Sequence, residues 1–148
     1  MDETKGLQLA KHQKKSLKAL YSSLPNANAV NAETFLLRYI SFEAVARKLW
    51  NYSRKLHKKD ATESHASIPL PSLQKALRTY DICVHEVVLS RLLASDLRKR
   101  GDMSARNLRN ELVHQWKQEA IVEVNARFMQ LNSDIDQFLD AVKRDGSF

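Results

Sequence analysis

Residues 31–56, NAETFLLRYISFEAVARKLWNYSRKL, determine the fold of this chain more than any other stretch. Their apolar side chains recur every three or four positions, the spacing that places side chains on one face of an α-helix. Asn31 is a suitable N-cap for that helix. The apolar face is wide, so we expect this helix to be the centre of a helical bundle. Its members are Phe35, Leu36, Tyr39, Ile40, Phe42, Ala46, Leu49, Trp50 and Leu56.

The composition extends the helical pattern to the whole chain. Only 3 of the 148 residues are glycine and 3 are proline, while 43% are hydrophobic. Glycine and proline disfavour helix interiors most, so their scarcity favours helix throughout. A chain of this length can bury one substantial core. We therefore predict a single all-α domain over residues 1–148, a bundle of four to five helices.

Apolar periodicity and turn signals predict the helices on either side of this central one. A first helix is expected over residues 7–24, followed by the turn PNAN at residues 25–28. Residues 58–71 are polar and include two prolines, so they should form the longest loop. A third helix is expected from residue 72 to residue 100, because an apolar stripe continues through it and Gly101 can end it.

A fourth helix should begin at Asp102 or Ser104, either of which can cap its first turn. Its apolar pattern continues to residue 142. A continuous helix over residues 102–144 would be about 60 Å long, too long for a compact domain of this size. We therefore expect a break at residues 132–134, Asn-Ser-Asp, with a fifth helix after it.

Charge and cysteine content point to a protein that stays inside the cell. The one cysteine, Cys83, lies among apolar residues and is expected to be buried, which suits a reducing cytoplasm. No stretch is apolar enough for a membrane span, and the N-terminus lacks the apolar core of a signal peptide. The formal net charge is +7, and all the positive excess lies before residue 119. A basic body of this kind suits a polyanionic partner, although a solvated lysine-rich face has the same composition.

Residues 109–114, RNELVH, are the stretch that most resembles a site for chemistry. Arg109 holds its charge at every pH and offers phosphate a rigid fork of donors. His114 is able to take and give a proton near neutrality. RNA cleavage by the neighbouring 2′-hydroxyl requires those two functions, a base for the hydroxyl proton and a cation for the charge that develops on phosphorus.

The spacing resembles the R-x4–6-H signature of the HEPN superfamily of small helical proteins, in the form with Asn110 directly after the arginine. The resemblance implies an HEPN-like helical domain and a metal-independent endoribonuclease without a cofactor, acting as a toxin or antiviral effector. Arg109 is then similar to the residue that holds the phosphate, His114 to the proton-transfer residue, and Asn110 to the residue that orients them. The expected partners are RNA, a second copy of the chain and a cognate antitoxin or regulatory protein.

Helical geometry adds further residues to this hypothesis. At about 100° per residue, Arg106, Asn110, His114 and Lys117 share one sector, opposite the apolar stripe. Arg109 lies about 140° from His114 on the same count, so two copies that meet would complete the site more easily than one. Basic residues expected to contact the RNA backbone are Arg106, Lys117, Lys11, Lys14, Lys15 and Lys18.

One position departs from a prominent HEPN branch. That branch carries R-x4-H-x-Tyr, and its tyrosine accepts an inactivating nucleotide, whereas this chain has Trp116. Because an indole has no hydroxyl to modify, the chain would belong to another branch or be controlled by binding. Trp116 also lies on the apolar stripe, where a core role is expected.

Several alternatives stand beside the nuclease hypothesis. Arg109 and His114 are also compatible with a solvated surface on a non-catalytic helical module that binds nucleic acid or protein. Glu43, on the apolar central helix, is either a partner for a motif arginine or a residue at the boundary of the core. No histidine or cysteine spacing matches a metal site, and no Gly-rich phosphate loop is present.

Overall fold

The computed structural model describes residues 10–12, 15–16, 19, 30–57, 67–95 and 102–146, and all regular secondary structure in these ranges is helical. The prediction of an all-α bundle is confirmed for this part of the chain. Five helices have defined bounds within it: α1 Val30–Leu56, α2 Leu70–Thr79, α3 Glu86–Leu93, α4 Ala105–Gln115 and α5 Gln118–Asp145.

The first predicted helix, over residues 7–24, lies largely outside the described residues. Residues 11, 12, 15, 16 and 19 are helical and exposed, in agreement with the predicted helix at these positions. The predicted loop at residues 58–71 also falls mostly outside them. Its last residues are described, and there α2 begins at Leu70, with Pro71 in its first turn. Proline suits the first turn because its missing N–H would have no helical acceptor there.

α1 is the central helix, as its apolar pattern predicts. Phe35, Tyr39, Phe42 and Ala46 are buried at successive three- and four-residue steps. The helix packs along α5, where the rings of Phe42 and Phe138 meet edge to face with centroids 4.8 Å apart. Full burial of such a side chain stabilises the fold by about 1.5–3 kcal/mol, so the contact of α1 with α5 contributes to the stability of the core.

The prediction of one helix over residues 72–100 is wrong, because the chain turns after α2. Asp81 adopts the left-handed conformation, with φ 53°, and the N–H of Ile82 donates to the carbonyl of Leu77 at 2.9 Å. This pattern is a Schellman ending in which aspartate takes the position that glycine usually fills. α3 then starts anew, because the His85 ring accepts a hydrogen bond from the N–H of Val87.

Cys83 lies in this turn and is exposed, so the prediction that it is buried is wrong. Its backbone N–H donates to Asp145 Oδ2 at 2.9 Å. The Arg144 side chain and then this N–H hold the pKa of Asp145 below its usual range, since both hydrogen bonds favour the carboxylate. The turn is therefore tied to the end of α5 by its backbone.

The break expected at residues 132–134 is also misplaced. α5 continues through these residues, because Asp134 is buried and receives two hydrogen bonds of 2.8 Å from Arg91 on α3. The chain turns instead at Trp116, whose φ of 48° is left-handed and ends α4. Inside α5, Arg127 departs from helical geometry.

The start of α4 is fixed by two interactions. Ser104 caps the helix by accepting the N–H of Asn107 at 3.2 Å, so the prediction of a cap at this residue is confirmed. Arg127 Nη1 donates both to the Met103 carbonyl at 2.8 Å and to Glu123 at 2.6 Å. The segment before α4 is therefore held to α5.

Candidate functional site

α4 carries the Arg-Asn-x3-His stretch on its second half. Arg109 lies in the middle of the helix, while His114 lies in its last turn, next to the left-handed residue Trp116. The two candidate side chains therefore have different surroundings. Arg109 and Asn110 are half-buried, whereas His114 is exposed.

Arg109 is held by two neighbours of different kinds. Its Nη1 donates to Asn110 Oδ1 at 3.1 Å, and its Nε lies 3.5 Å from Glu43 Oε1 on α1. The second distance suits an ion pair but is long for a hydrogen bond, and the buried Nε–H has no acceptor among the described residues. Of the two interpretations of Glu43, the structure therefore favours that of a partner for the motif arginine.

A small cavity of about 20 Å³ lies between α4, α1 and the segment before α2. It has room for about one water molecule, so it is too small for a phosphate group. Two arginines and one glutamate give its lining a net positive charge. An anion bound here would therefore contact the guanidinium groups from the solvent side. The lining residues are Tyr39, Glu43, Ser67, Ile68, Leu93, Arg106, Arg109 and Asn110.

Tyr39 and Arg106 form the wall of this cavity next to α3. The Tyr39 hydroxyl donates to the Leu92 carbonyl at 3.0 Å, and Arg106 Nη1 lies 3.5 Å from the Leu93 carbonyl. Burial, and then the nearby Glu43 carboxylate, raise the pKa of Tyr39 far above its usual range. The Tyr39 hydroxyl therefore stays protonated and does not transfer protons near neutrality.

The expected polar face of α4 is found only in part. Arg106 and Asn110 are half-buried and line the cavity against α1, so they do not point away from the core. His114 is exposed as expected. Lys117 does not share the face, because the chain turns at Trp116 and places Lys117 at the N-cap of α5.

The other predicted residues have the following positions. Trp116 is half-buried and packs against the core, so its predicted core role is confirmed. Lys11 and Lys15 are exposed on the N-terminal helical residues. Lys14 and Lys18 lie outside the described residues.

No group of three or more histidine, cysteine, aspartate or glutamate side chains that could hold a metal ion occurs in the described residues. Within the same ranges, no helix is both long enough and apolar enough to cross a membrane.

Comparison with known proteins adds nothing to this site. No protein-family model, no curated protein and no solved structure matches the chain.

Tyr39 is a member of the cavity that sequence reasoning assigned only to the core. Its hydroxyl reaches the carbonyl end of α3, where Arg106 also lies. The available signal was its position one helical turn before Glu43, since residues four apart on a helix are neighbours. A tyrosine beside a glutamate on a buried face indicates that this part of the core has a polar edge.

Proposed function

We propose that this protein is a metal-independent endoribonuclease of the HEPN type, acting as a toxin or antiviral defence effector that a cognate partner protein keeps silent. Arg109 holds the scissile phosphate, His114 transfers protons, and Asn110 orients the arginine. The observation that carries the proposal is the pairing of an oriented guanidinium with a solvent-accessible imidazole on one helix.

The surroundings of Arg109 suit phosphate binding. The Asn110 oxygen fixes one side of the guanidinium, and about a third of the side chain stays exposed, so its remaining donors can meet an oxyanion in solvent. Arg106 adds a second positive charge beside it, and Glu43 offsets only one of the two. A site with this balance attracts the charge that develops on a pentacovalent phosphorus.

The reaction needs no group beyond these side chains. A neutral imidazole removes the proton of the 2′-hydroxyl, whose oxygen forms a bond to the adjacent phosphorus. The bond from phosphorus to the 5′-oxygen breaks, and an imidazolium protonates that oxygen. The products are a 2′,3′-cyclic phosphate and a 5′-hydroxyl, and the proton balance closes when a second histidine acts as the acid.

A homodimer supplies the second histidine. In one copy Arg109 lies against α1, while His114 is exposed in the last turn of α4, so the two groups do not meet over a single pocket. Val113, next to His114, is 51% exposed and offers an apolar contact for a partner helix. Two copies related by a two-fold axis would bring two Arg-His sets to one cleft.

Assembly is tested by light scattering, which should report twice the chain mass at micromolar concentration. Cysteines placed at Val113 or Gln115, which are both exposed, should form crosslinks between copies. These variants are made in a Cys83→Ser background, because Cys83 is exposed and would react. A chain that stays monomeric at assay concentration and cleaves RNA at full rate would contradict the composite site.

Catalysis is tested with purified protein in EDTA, where RNA should be cleaved to 2′,3′-cyclic phosphate ends. His114→Ala and Arg109→Ala should each reduce turnover by about a hundredfold or more, while helix content stays unchanged. His85→Asn is the matched control, because it removes an exposed histidine but keeps a good N-cap for α3. Activity that disappears with chelation and returns with magnesium would rule out this mechanism.

Arg106, Lys117 and the N-terminal lysines are proposed to bind the RNA backbone. Replacing Lys11 and Lys15 by glutamine should weaken RNA binding and reduce its salt dependence, without changing turnover on saturating RNA. Loss of turnover on saturating RNA in this lysine variant, with turnover preserved in His114→Ala, would reverse the assigned roles.

The second candidate function is a non-catalytic module that binds nucleic acid or protein. It is favoured by the ion pair of Arg109 with Glu43 and by the absence of His114 from the lining of the cavity. Expression in a bacterium separates the two candidates. Growth arrest that disappears with His114→Ala supports the nuclease, whereas unchanged growth supports the module.

A further inference from the structure

A second cavity, of about 70 Å³, lies between the last turns of α1 and the first turns of α2. Of the residues that the structure describes, none lines both this cavity and the cavity at Arg109. Its volume is several times the roughly 10–15 Å³ that one water molecule needs, so it has room for a group of a few heavy atoms. The lining residues are Trp50, Ser53, Arg54, His57, Ser72 and Lys75.

The lining of this second cavity is basic. Arg54 comes from the last turn of α1, His57 directly follows that helix, and Lys75 comes from α2, and the lining residues within the described ranges include no carboxylate. Two of these groups are positively charged near neutrality, and protonation of His57 adds a third charge. Hydroxyl groups of Ser53 and Ser72 supply further hydrogen-bond donors. This combination suits a multiply charged oxyanion with several acceptor oxygens.

Two of the basic side chains are held in place before any ligand binds. The Arg54 guanidinium lies over the Trp50 ring, 5.6 Å from its centroid, where the ring face attracts a cation. His57 Nδ1 lies 2.7 Å from the Ser53 carbonyl, which can only accept, so Nδ1 carries the hydrogen. The proton that His57 gains or loses is therefore the one on Nε2.

Cations near the end of α1 also complement the negative end of its helix dipole. That effect accounts for the presence of basic side chains at Arg54 and His57, which lie in and just after the last turns of α1. It does not explain Lys75, which reaches the same cavity from the middle of α2. Ser72, in the first turn of α2, adds the positive end of a second dipole to the lining.

We propose that this cavity is a binding site for a phosphate group, held by Arg54, Lys75 and protonated His57. The phosphate belongs either to a small molecule or to the backbone of an RNA chain. The site does not depend on the proposed nuclease activity, because phosphate binding is measured without any cleavage. Failure of one proposal therefore leaves the other standing.

The first experiment titrates the full chain with inorganic phosphate at constant ionic strength and follows backbone amide NMR signals. Saturable shifts are expected at Ser53, Ser72 and Lys75. Lys75→Gln should reduce the affinity by about tenfold, as expected for a lost charge-assisted hydrogen bond. Lys55→Gln is the matched control, because Lys55 is exposed on the same turn of α1 but does not line the cavity.

Arg54→Lys keeps the charge but loses the planar fork, so it should fold normally and bind phosphate several-fold less tightly. Absence of saturable shifts at the cavity in the unmodified protein would overturn the proposal. An equal loss of phosphate affinity in Lys55→Gln and Lys75→Gln would also overturn the proposal, since general surface charge would then explain the binding.

The role of His57 is tested with sulfate, whose charge does not change between about pH 5.5 and 8, the range in which histidine titrates. Sulfate should bind more tightly at the acidic end, because the anion favours the protonated imidazole beside Arg54 and Lys75. His57→Gln should remove this pH dependence. Persistence of the pH dependence in His57→Gln would overturn the assignment of His57.

The source of the phosphate is identified with a single-stranded oligoribonucleotide. If the site serves RNA, Lys75→Gln should weaken binding of the oligonucleotide. The slope of the logarithm of the binding constant against the logarithm of the salt concentration should also become less steep by about 0.7, the value for one lost contact on a single strand. If the site serves a small molecule, Lys75→Gln should leave RNA affinity unchanged while inorganic phosphate binding falls. Both outcomes support a phosphate site, and unaltered binding of both ligands in Lys75→Gln would contradict it.

Discussion

Glu43→Gln should tighten RNA binding, because Glu43 places a negative charge beside the arginine proposed to hold the phosphate. Glu43 Oε1 lies 3.5 Å from Arg109 Nε. A phosphate on the solvent side of the guanidinium would lie about 7 Å from this carboxylate, and two like charges at that distance repel by about 1.2 kcal/mol with an effective dielectric constant of about 40. Removing that repulsion should raise the affinity for RNA about five- to tenfold.

The affinity is measured by fluorescence anisotropy at low salt, in a His114→Ala background so that the RNA stays intact. Glutamine keeps the shape of the side chain and a carbonyl oxygen in place of one carboxylate oxygen, so the substitution removes the charge without opening space beside Arg109. Glu33→Gln is the control, because Glu33 is exposed in the first turn of α1. It lies about 15 Å from Glu43 along the helix, beyond the Debye length of about 8–10 Å.

The two variants lose the same charge, so their comparison separates a local effect from a change in net charge. Tightening in Glu43→Gln alone is expected. If Glu43→Gln instead weakened binding as strongly as Arg109→Ala, the carboxylate would act only to hold the arginine, and the electrostatic reasoning would be refuted. Equal tightening in Glu33→Gln and Glu43→Gln would assign the effect to net charge.

Arg91→Ala should lower the free energy of unfolding by about 3–5 kcal/mol, measured by urea denaturation, because it leaves the Asp134 carboxylate buried without a partner. The double variant Arg91→Met, Asp134→Leu should recover most of that loss. If Arg91→Ala were as stable as the unmodified chain, the ion pair would not contribute to stability. The pKa of Asp145 is lowered by Arg144 and by the N–H of Cys83, so its contribution is present above the pKa of the unfolded chain and is lost as pH falls through the lower folded value. The stability difference between the unmodified chain and Asp145→Asn should therefore vanish in acid, and a difference that grew in acid would contradict this linkage.

Elements defined by local signals could be predicted from the sequence. The central helix was expected over residues 31–56 and is found at Val30–Leu56. The cap at Ser104 was also foreseen, because a serine before an apolar pattern satisfies free N–H groups of the first turn. In both cases the deciding residues lie within a few positions of one another in the chain.

Elements decided by distant contacts were predicted wrongly. The apolar stripe continues through Cys83 without interruption. The backbone N–H of Cys83 nevertheless donates a hydrogen bond to Asp145, 62 positions away. Residues 132–134 are Asn, Ser and Asp, types that favour helix caps and turns, but Asp134 pairs with Arg91 on α3, and α5 continues. Periodicity reports which face of a segment is apolar, and it does not report which remote side chain satisfies a polar group.

The candidate site shows the same division. Asn110 follows Arg109 directly, and their hydrogen bond is consistent with the orienting role expected for Asn110. The pairing of Glu43 with Arg109 was one of two open interpretations, because the two residues lie on different helices. The turn at Trp116, which removes Lys117 from the face of α4, had no signal in the sequence, since tryptophan rarely adopts a left-handed conformation.

We propose that Arg109 and His114 from two copies act together on one RNA phosphate. This proposal is tested most directly by co-expressing Arg109→Ala and His114→Ala chains with different tags and purifying the mixed dimer. Each homodimer lacks one of the two groups, whereas the mixed dimer keeps one arginine and one histidine, on different copies. The mixed dimer keeps one histidine as the base and one arginine but lacks the second histidine proposed as the acid, so it is expected to cleave RNA in EDTA faster than either homodimer and more slowly than the unmodified dimer. A mixed dimer no more active than the two homodimers would contradict the shared site.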